Sequence, residues 1–300
     1  LALAIAAGQF HNLAITTDGL YTWGGGATLS GKVAFPLTVT TVLAVAGGMG
    51  HSLALTDDGL YAWGGNASGQ LGNGTTTDSS VPVKVIFPAG VTVHAIAAGS
   101  YHSMAMTDAG LYTWGDNGGA QLGDGTHIDR SLPVKVVFPS AVKTLVAISG
   151  GGFHSLAITD DGVYAWGNNT FGQLGDGTTT VRLEPTKVTF QKNSAPTAVT
   201  AIAAGFWHSL AIGDGSVFGW GAEPDGEELF YGFSSFTVPP SIYRVALPTQ
   251  RQELWQRGEA EIDLERFEVR QVSLPSRDGT GISMFVVAQR GLVRDGTHPT

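Results

Sequence analysis

Five histidines recur at one place in the chain: His11, His51, His102, His154 and His208, separated by 40, 51, 52 and 54 residues. Neutral imidazole is a common metal ligand, so a histidine series is the first candidate for chemistry. A zinc site, however, needs about four ligands within roughly 2.0–2.3 Å of one point. Histidines at the same place of separate units are spread around an axis, and no HExxH accompanies them. They are read as structural, with ring nitrogens bonded to backbone inside their own unit, because buried polar groups must be paired. The tryptophans Trp23, Trp63, Trp114 and Trp166 recur with them and could form an aromatic ligand platform. Packing between units is the reading adopted, since indoles bury a large area.

Other chemistry is sparse. The loops at Asp124-Gly125 and Asp176-Gly177 lack the DxDxDG array of a calcium loop and are read as turns. A serine hydrolase needs its nucleophile in a GxSxG turn. Ser216 follows Gly215 without the second glycine at the right offset, and Ser283 has Phe285 where glycine is needed. No GxGxxG or GxxxxGK[ST] phosphate loop occurs. No catalytic, cofactor-binding or metal-ligating residue is therefore assigned, no cofactor is expected, and the binding residues stay unassigned.

The elements that carry these residues repeat as well. Residues 44–66, 95–117 and 147–169 are near copies, with further copies at 4–24 and 201–221. A period of about 40–50 residues means one supersecondary unit per repeat, stacked on its neighbours. In the unit from Thr92 to Val137, VHAIAAG reads as a buried inner strand and HSMAMT as an alternating one, with Met104 and Met106 opposed to Ser103 and Ala105. Asp108-Ala109-Gly110 is a turn, matched by Asp58-Gly59 and Asp161-Gly162, where both residues tolerate positive φ. LYTWG returns, the loop NGGAQLGDGT follows, and VKVVF after Pro133 is the outer strand. Four antiparallel strands per unit make a propeller blade.

Composition agrees. The chain has 300 residues, 43% hydrophobic and 14% charged, with 43 Gly and no Cys. That excludes disorder, a disulfide framework and a thiolate metal site. The net charge of −9 and the lack of a basic stripe argue against nucleic acid as a partner. No apolar run approaches the roughly 20 residues of a spanning helix, so no membrane partner is expected. The opening LALAIAAG aligns with later repeats, so the chain reads as beginning inside one.

The repeat resembles the regulator-of-chromosome-condensation family. The matching residues in one copy are Gly99, His102, Ser103, Gly110, Trp114, Gly115, Asn117, Gln121, Leu122, Gly123, Gly125 and Thr126. The copy at His154 continues with Gln173-Leu174-Gly175, and that at His51 with Gln70-Leu71-Gly72. The first copy departs, with GGGATLSGK after Trp23. The resemblance covers about 1–215 and implies a propeller of the seven-bladed type, without implying nucleotide exchange or chromatin binding.

Near residue 215 the composition breaks. Glu184 is the single Glu before residue 220, and eight follow; every Lys lies before residue 220. ELFYGF, SIYRVAL, FEVRQVSLPS and GISMFVV read as strands, with turns at Asp225-Gly226 and Arg277–Thr280. Three stretches resemble the prolyl oligopeptidase family: 233–244, 275–280 with Met284-Phe285, and Gly291 with 295–300. That resemblance implies the end of a gating propeller and the entry to a hydrolase domain, whose Ser-Asp-His triad would lie beyond residue 300. Residues 214–221 read equally as a decayed repeat or as the start of this stretch.

The expectation is an all-β propeller of four-stranded antiparallel blades, with closure of the ring left open. Its segments are 1–215 (repeats), 216–266 (peptidase-like propeller end) and 267–300 (start of a truncated peptidase domain). The expected function is a non-catalytic scaffold with a protein or peptide partner. The alternative is the gating part of a prolyl-oligopeptidase-like serine peptidase. An open-ended stack is expected to be prone to association, and the tail past about residue 288 to be poorly held.

Overall fold

Alternation of apolar residues makes each repeat a sheet with two usable faces. The computed structural model describes residues 2–24, 31–190, 196–214 and 216–221, together with the backbone of five strands between residues 228 and 289. The first sheet holds β1 (Ala2–Ala7), β2 (Asn12–Thr16), β3 (Gly19–Trp23) and the short β4 (Gly31–Lys32). The second holds β5 (Val42–Gly47), β6 (His51–Thr56), β7 (Gly59–Gly64) and β8 (Ser79–Lys84). The third holds β9 (Val93–Ala98), β10 (His102–Thr107), β11 (Gly110–Gly115) and β12 (Arg130–Lys135). The fourth holds β13 (Leu145–Gly150), β14 (His154–Thr159), β15 (Gly162–Gly167) and β16 (Arg182–Lys187). The fifth holds β17 (Val199–Ala204), β18 (Ser209–Gly213) and β19 (Ser216–Trp220). In each sheet, strands adjacent in sequence pair antiparallel, and no helix occurs among the described residues.

The chain divides into two units, residues 1–226 and 227–300. In the second, β20 (Glu228–Phe233), β21 (Ser241–Ala246) and β22 (Arg251–Arg257) form a three-stranded sheet, and β23 (Phe267–Pro275) pairs with β24 (Gly281–Gln289). The strands expected from ELFYGF, SIYRVAL, FEVRQVSLPS and GISMFVV are present. The turns at Asp225-Gly226 and Arg277–Thr280, and the tail past residue 289, lie outside the described residues.

Two local expectations are corrected. The outer strand of the third sheet is Arg130–Lys135, not VKVVF, and Pro133 lies inside it. The register with β11 shifts between Thr113 and Gly115, opposite this stretch, so the N–H that proline lacks is not needed there. At the hairpins the positive φ falls on the glycine alone, +121° at Gly59 and +126° at Gly162. Asp214, at +50°, is the aspartate that adopts the left-handed region. Its hairpin has the same two-residue turn, Gly213 pairing with Ser216, but Ser216 stands where Gly59 and Gly162 supply the positive φ in the others. Ala120, at +65°, takes that region at the place that Gly69 and Gly172 hold in the neighbouring loops.

The core lies between sheets. Leu13 and Ile15 of the first pack on Ala54 and Trp63 of the second. Leu53, Leu55 and Leu71 pack on Ala105, Tyr112 and Trp114 of the third. Met104 and Leu111 pack on Ala157, Tyr164 and Trp166 of the fourth. A phenylalanine after each outer strand meets the next tryptophan edge-on, Phe87 with Trp114 and Phe138 with Trp166, at centroid distances of 5.7 and 5.8 Å. Trp63, Trp114 and Trp166 thus have the packing role expected of them, whereas Trp23 of the first blade is 46% exposed and does not.

The inner strands are joined by backbone. Gln9 N–H donates to Gly48 O at 3.1 Å, Met49 to Ser100 O at 3.0 Å, Ser100 to Gly151 O at 3.0 Å and Gly152 to Gly205 O at 3.1 Å. Glycine is required here because neighbouring backbones touch. A Cβ on Gly150 would lie 2.5 Å from Gly99 N.

Candidate functional site

The histidines sit where the inner two strands of a blade meet. His51 opens β6 and pairs with Gly64 of β7. Its ring lies over Gly48, where a Cβ would come within 2.1 Å of Cε1, which explains the G-x-x-H spacing. Strand alternation sends His51 toward the next blade and Ser52 toward the previous one.

The rings bond across blades rather than to their own backbone, which corrects the expectation. His11 Nε2 reaches Ser52 Oγ at 2.8 Å, His51 reaches Ser103 at 3.0 Å, His102 reaches Ser155 at 2.9 Å and His154 reaches Ser209 at 2.8 Å. Ser103 Oγ donates to Gln70 O, Ser155 to Gln121 O and Ser209 to Gln173 O, each at 2.8 Å. The same three carbonyls accept Nε1–H of Trp114, Trp166 and Trp220, each at 2.9 Å. A hydroxyl has one proton, and the carbonyl takes it. His51, His102 and His154 must therefore donate from Nε2, which leaves Nδ1 a bare lone pair. These Nδ1 atoms are buried without a hydrogen-bond partner among the described residues. Burial is the main cause that lowers the pKa of all three to about 3, with neighbouring histidine charge adding to it. The rings are neutral struts, and their separation into different blades keeps them from gathering around a metal. Trp220 takes the tryptophan place of the repeat, so residues 214–221, where described, have the geometry of a blade.

The GQLG loops hang on a buried asparagine. Asn117 Oδ1 accepts Leu122 N–H at 3.0 Å, and its Nδ2 donates to Thr126 O, Asp124 Oδ1 and Ile128 O at 3.0–3.1 Å. Asn66 and Asn169 do the same in their blades. Asp124 pairs with Arg130 at 2.7 Å and Asp176 with Arg182 at 2.6 Å. Burial opposes ionisation of Asp124, but hydrogen bonds from Thr126, Arg130 and Asn117 outweigh it and lower its pKa. These carboxylates serve the turn, as expected of them. Ser216 begins β19 and Ser283 lies within β24, both regular strand positions.

The inner-strand ends of the five blades line a cavity of about 450 Å³. Its wall is mostly glycine backbone, including Gly8, Gly48, Gly99, Gly151 and Gly205; Ser100 contributes a hydroxyl, and no titratable side chain is among the lining residues. Beside its mouth lies an aromatic cluster that sequence reading missed. Tyr101 and Phe153 are 6.2 Å apart, Phe153 stacks on Trp207 at 5.4 Å, and Phe206 and Phe171 meet Trp207 at 4.7 and 5.1 Å. Tyr101, Phe153, Phe171 and Trp207 are half-buried, and Phe206 is 39% exposed. The signal was the residue before each histidine, where Tyr101, Phe153 and Trp207 stand; a single-repeat reading does not show that they converge.

Comparisons with known proteins follow the repeat. The chain is 35% identical over 227 residues to the ultraviolet-B receptor UVR8 of Arabidopsis thaliana, covering 74% of this chain and 42% of the receptor. It is 35% identical over 224 residues to the human E3 ubiquitin-protein ligase HERC2, covering 69% of this chain and 5% of the ligase. It therefore spans less than half the length of either relative. Among solved structures, human WBSCR16 superposes with a TM-score of 0.68 at 22% identity, covering 86% of this chain and 83% of that one. Prp20p of Saccharomyces cerevisiae, described with its binding to Gsp1p and histones, superposes at 0.59 with 26% identity, covering 73% and 58%. The RCC1-like domain family matches residues 2–250, and with blades, inter-blade struts and asparagine-hung loops of one pattern, this chain belongs to that family.

Proposed function

We propose that the chain is a non-catalytic propeller scaffold whose aromatic face binds a protein partner. The observation that carries this is the partly exposed cluster of Tyr101, Phe153, Phe171, Phe206 and Trp207, contributed by three successive blades. Exposed aromatics gathered in one patch are costly in water and are enriched at protein interfaces. Loops held by a rigid scaffold are where binding residues concentrate. The protein partners named for Prp20p, Gsp1p and histones, support a protein ligand by analogy. The seven-bladed type and the segment limits 1–215, 216–266 and 267–300 belong to the same proposal, as does a partner that is neither nucleic acid nor membrane.

A displayed peptide library selected on the full chain tests this. Selected peptides should lose binding to Phe153→Ala and Trp207→Ala, with both variants folded by circular dichroism. The chain should not hydrolyse a proline-containing chromogenic peptide. Peptides indifferent to both substitutions, or turnover free of contaminating peptidase, would overturn the reading.

A further inference from the structure

We propose that this aromatic face takes a basic segment of the partner, an extended stretch carrying arginine or lysine; this rests on the reading of the face as a protein-binding surface. The argument is charge complementarity at one end of the aromatic track. Asp116 N–H donates to Tyr101 O at 3.0 Å, so the loop after β11 lies directly against Tyr101. Asp129, exposed, accepts the N–H of Asn117 at 2.8 Å. Asp116 is half-buried, and burial first and the charge of Asp129 second raise its pKa. Two carboxylates that repel one another therefore lie on the loop that meets Tyr101, that of Asp116 also accepting from Gln121 Nε2 and Gly118 N–H.

Among the described residues, the cations near them are occupied or distant. Arg130 is held by Asp124 at 2.7 Å. His127, on the same loop, is tied to Gly118 O at 3.2 Å. Lys32, Lys84 and Lys187 lie at the opposite end of the blades, each paired with a hairpin aspartate. In the neighbouring blades Gly65 and Asn168 replace Asp116, so the carboxylate pair belongs to the blade that starts the track. A guanidinium stacks on aromatic faces and pairs with carboxylates, which is the combination this surface offers from Asp116 and Asp129 through Tyr101 to Phe153 and Trp207.

The test uses the full chain and fluorescent oligo-arginine and oligo-glutamate peptides of equal length, read by anisotropy at physiological ionic strength. Oligo-arginine should bind and oligo-glutamate should not. Asp116→Asn/Asp129→Asn should weaken oligo-arginine by about tenfold or more, the scale of a lost charge-assisted contact. Phe153→Ala should weaken it too. Asp18→Asn/Asp58→Asn, which removes the same charge from the opposite end, should leave it unchanged. Equal losses from both double variants would reduce the effect to net charge and overturn the proposal. If library peptides depend on Phe153 and Trp207 but not on Asp116 and Asp129, the basic partner falls while the scaffold reading stands. If neither set matters, both fall.

Discussion

The two ends of each blade are built on different principles. At the hairpin tips the contacts are local and wet. Thr56 Oγ1 donates to Gly59 O at 2.8 Å, Tyr61 donates to Asp58 at 2.6 Å, and Lys84 pairs with Asp58 at 3.1 Å with its side chain half exposed. At the other end the contacts are buried and join residues more than thirty apart in sequence, as in His51–Ser103, Ser103–Gln70 O and Trp114–Gln70 O. The tip closes a hairpin; the seam sets one blade against the next. The difference teaches that repeated polar residues can be frequent in both places and matter in only one. Exposed ion pairs gain little in high dielectric, whereas a buried donor stripped of its acceptor bears its full desolvation cost.

Acid should separate the two ends most strongly. In the folded chain His51, His102 and His154 titrate near 3, below the ordinary histidine value of 6.5. The unfolded chain takes up these protons first. Stability is therefore complete above about pH 6.5 and lost as pH falls toward 3, by about 1.4 kcal/mol per pH unit for each histidine. Three such groups amount to about 8 kcal/mol between pH 6.5 and 4.5. The tip aspartates Asp58 and Asp161 have lowered pKa values instead, so their loss begins only at lower pH. Urea midpoints across this window, nearly flat down to pH 4.5, would contradict the seam.

Next in size is Trp114→Ala, expected to cost about 3–5 kcal/mol by loss of packing. Trp114 is 0% exposed, whereas Trp23 in the first blade is 46% exposed. Trp23→Ala should cost clearly less, and equal losses in denaturant melts would mean that the seam is not what stabilises the stack. Ser103→Ala removes the acceptor of His51 and one donor to Gln70 O, and should cost about 1–3 kcal/mol. The smallest effect belongs to the tip. Lys84→Met should leave the urea midpoint unchanged within error; a shift as large as that of Ser103→Ala would erase the distinction between the ends.

Much of the fold was legible because repetition and alternation are local properties. The turn at Asp58-Gly59, the alternation through Met104 and Met106, and the burial of Trp63, Trp114 and Trp166 follow from two-residue periodicity and from the size of indole. The histidines bond to a serine of the next blade rather than to backbone within their own. The adjacent serine carried the missing signal: in a strand, neighbours face opposite sides, so a His-Ser pair points one group at each flanking blade. The aromatic face was not legible, because Tyr101, Phe153 and Trp207 occupy one position in three units that are about fifty residues apart.

By itself the sequence determined the strands, the hairpins, the repeat and the apolar seam, since each depends on residues close along the chain. Tertiary structure decided which blade's serine receives each imidazole, which nitrogen carries the proton, and which aromatics gather around Trp207. Those outcomes depend on where separate sheets come to rest against each other, and no local pattern encodes a distance between residues of different blades.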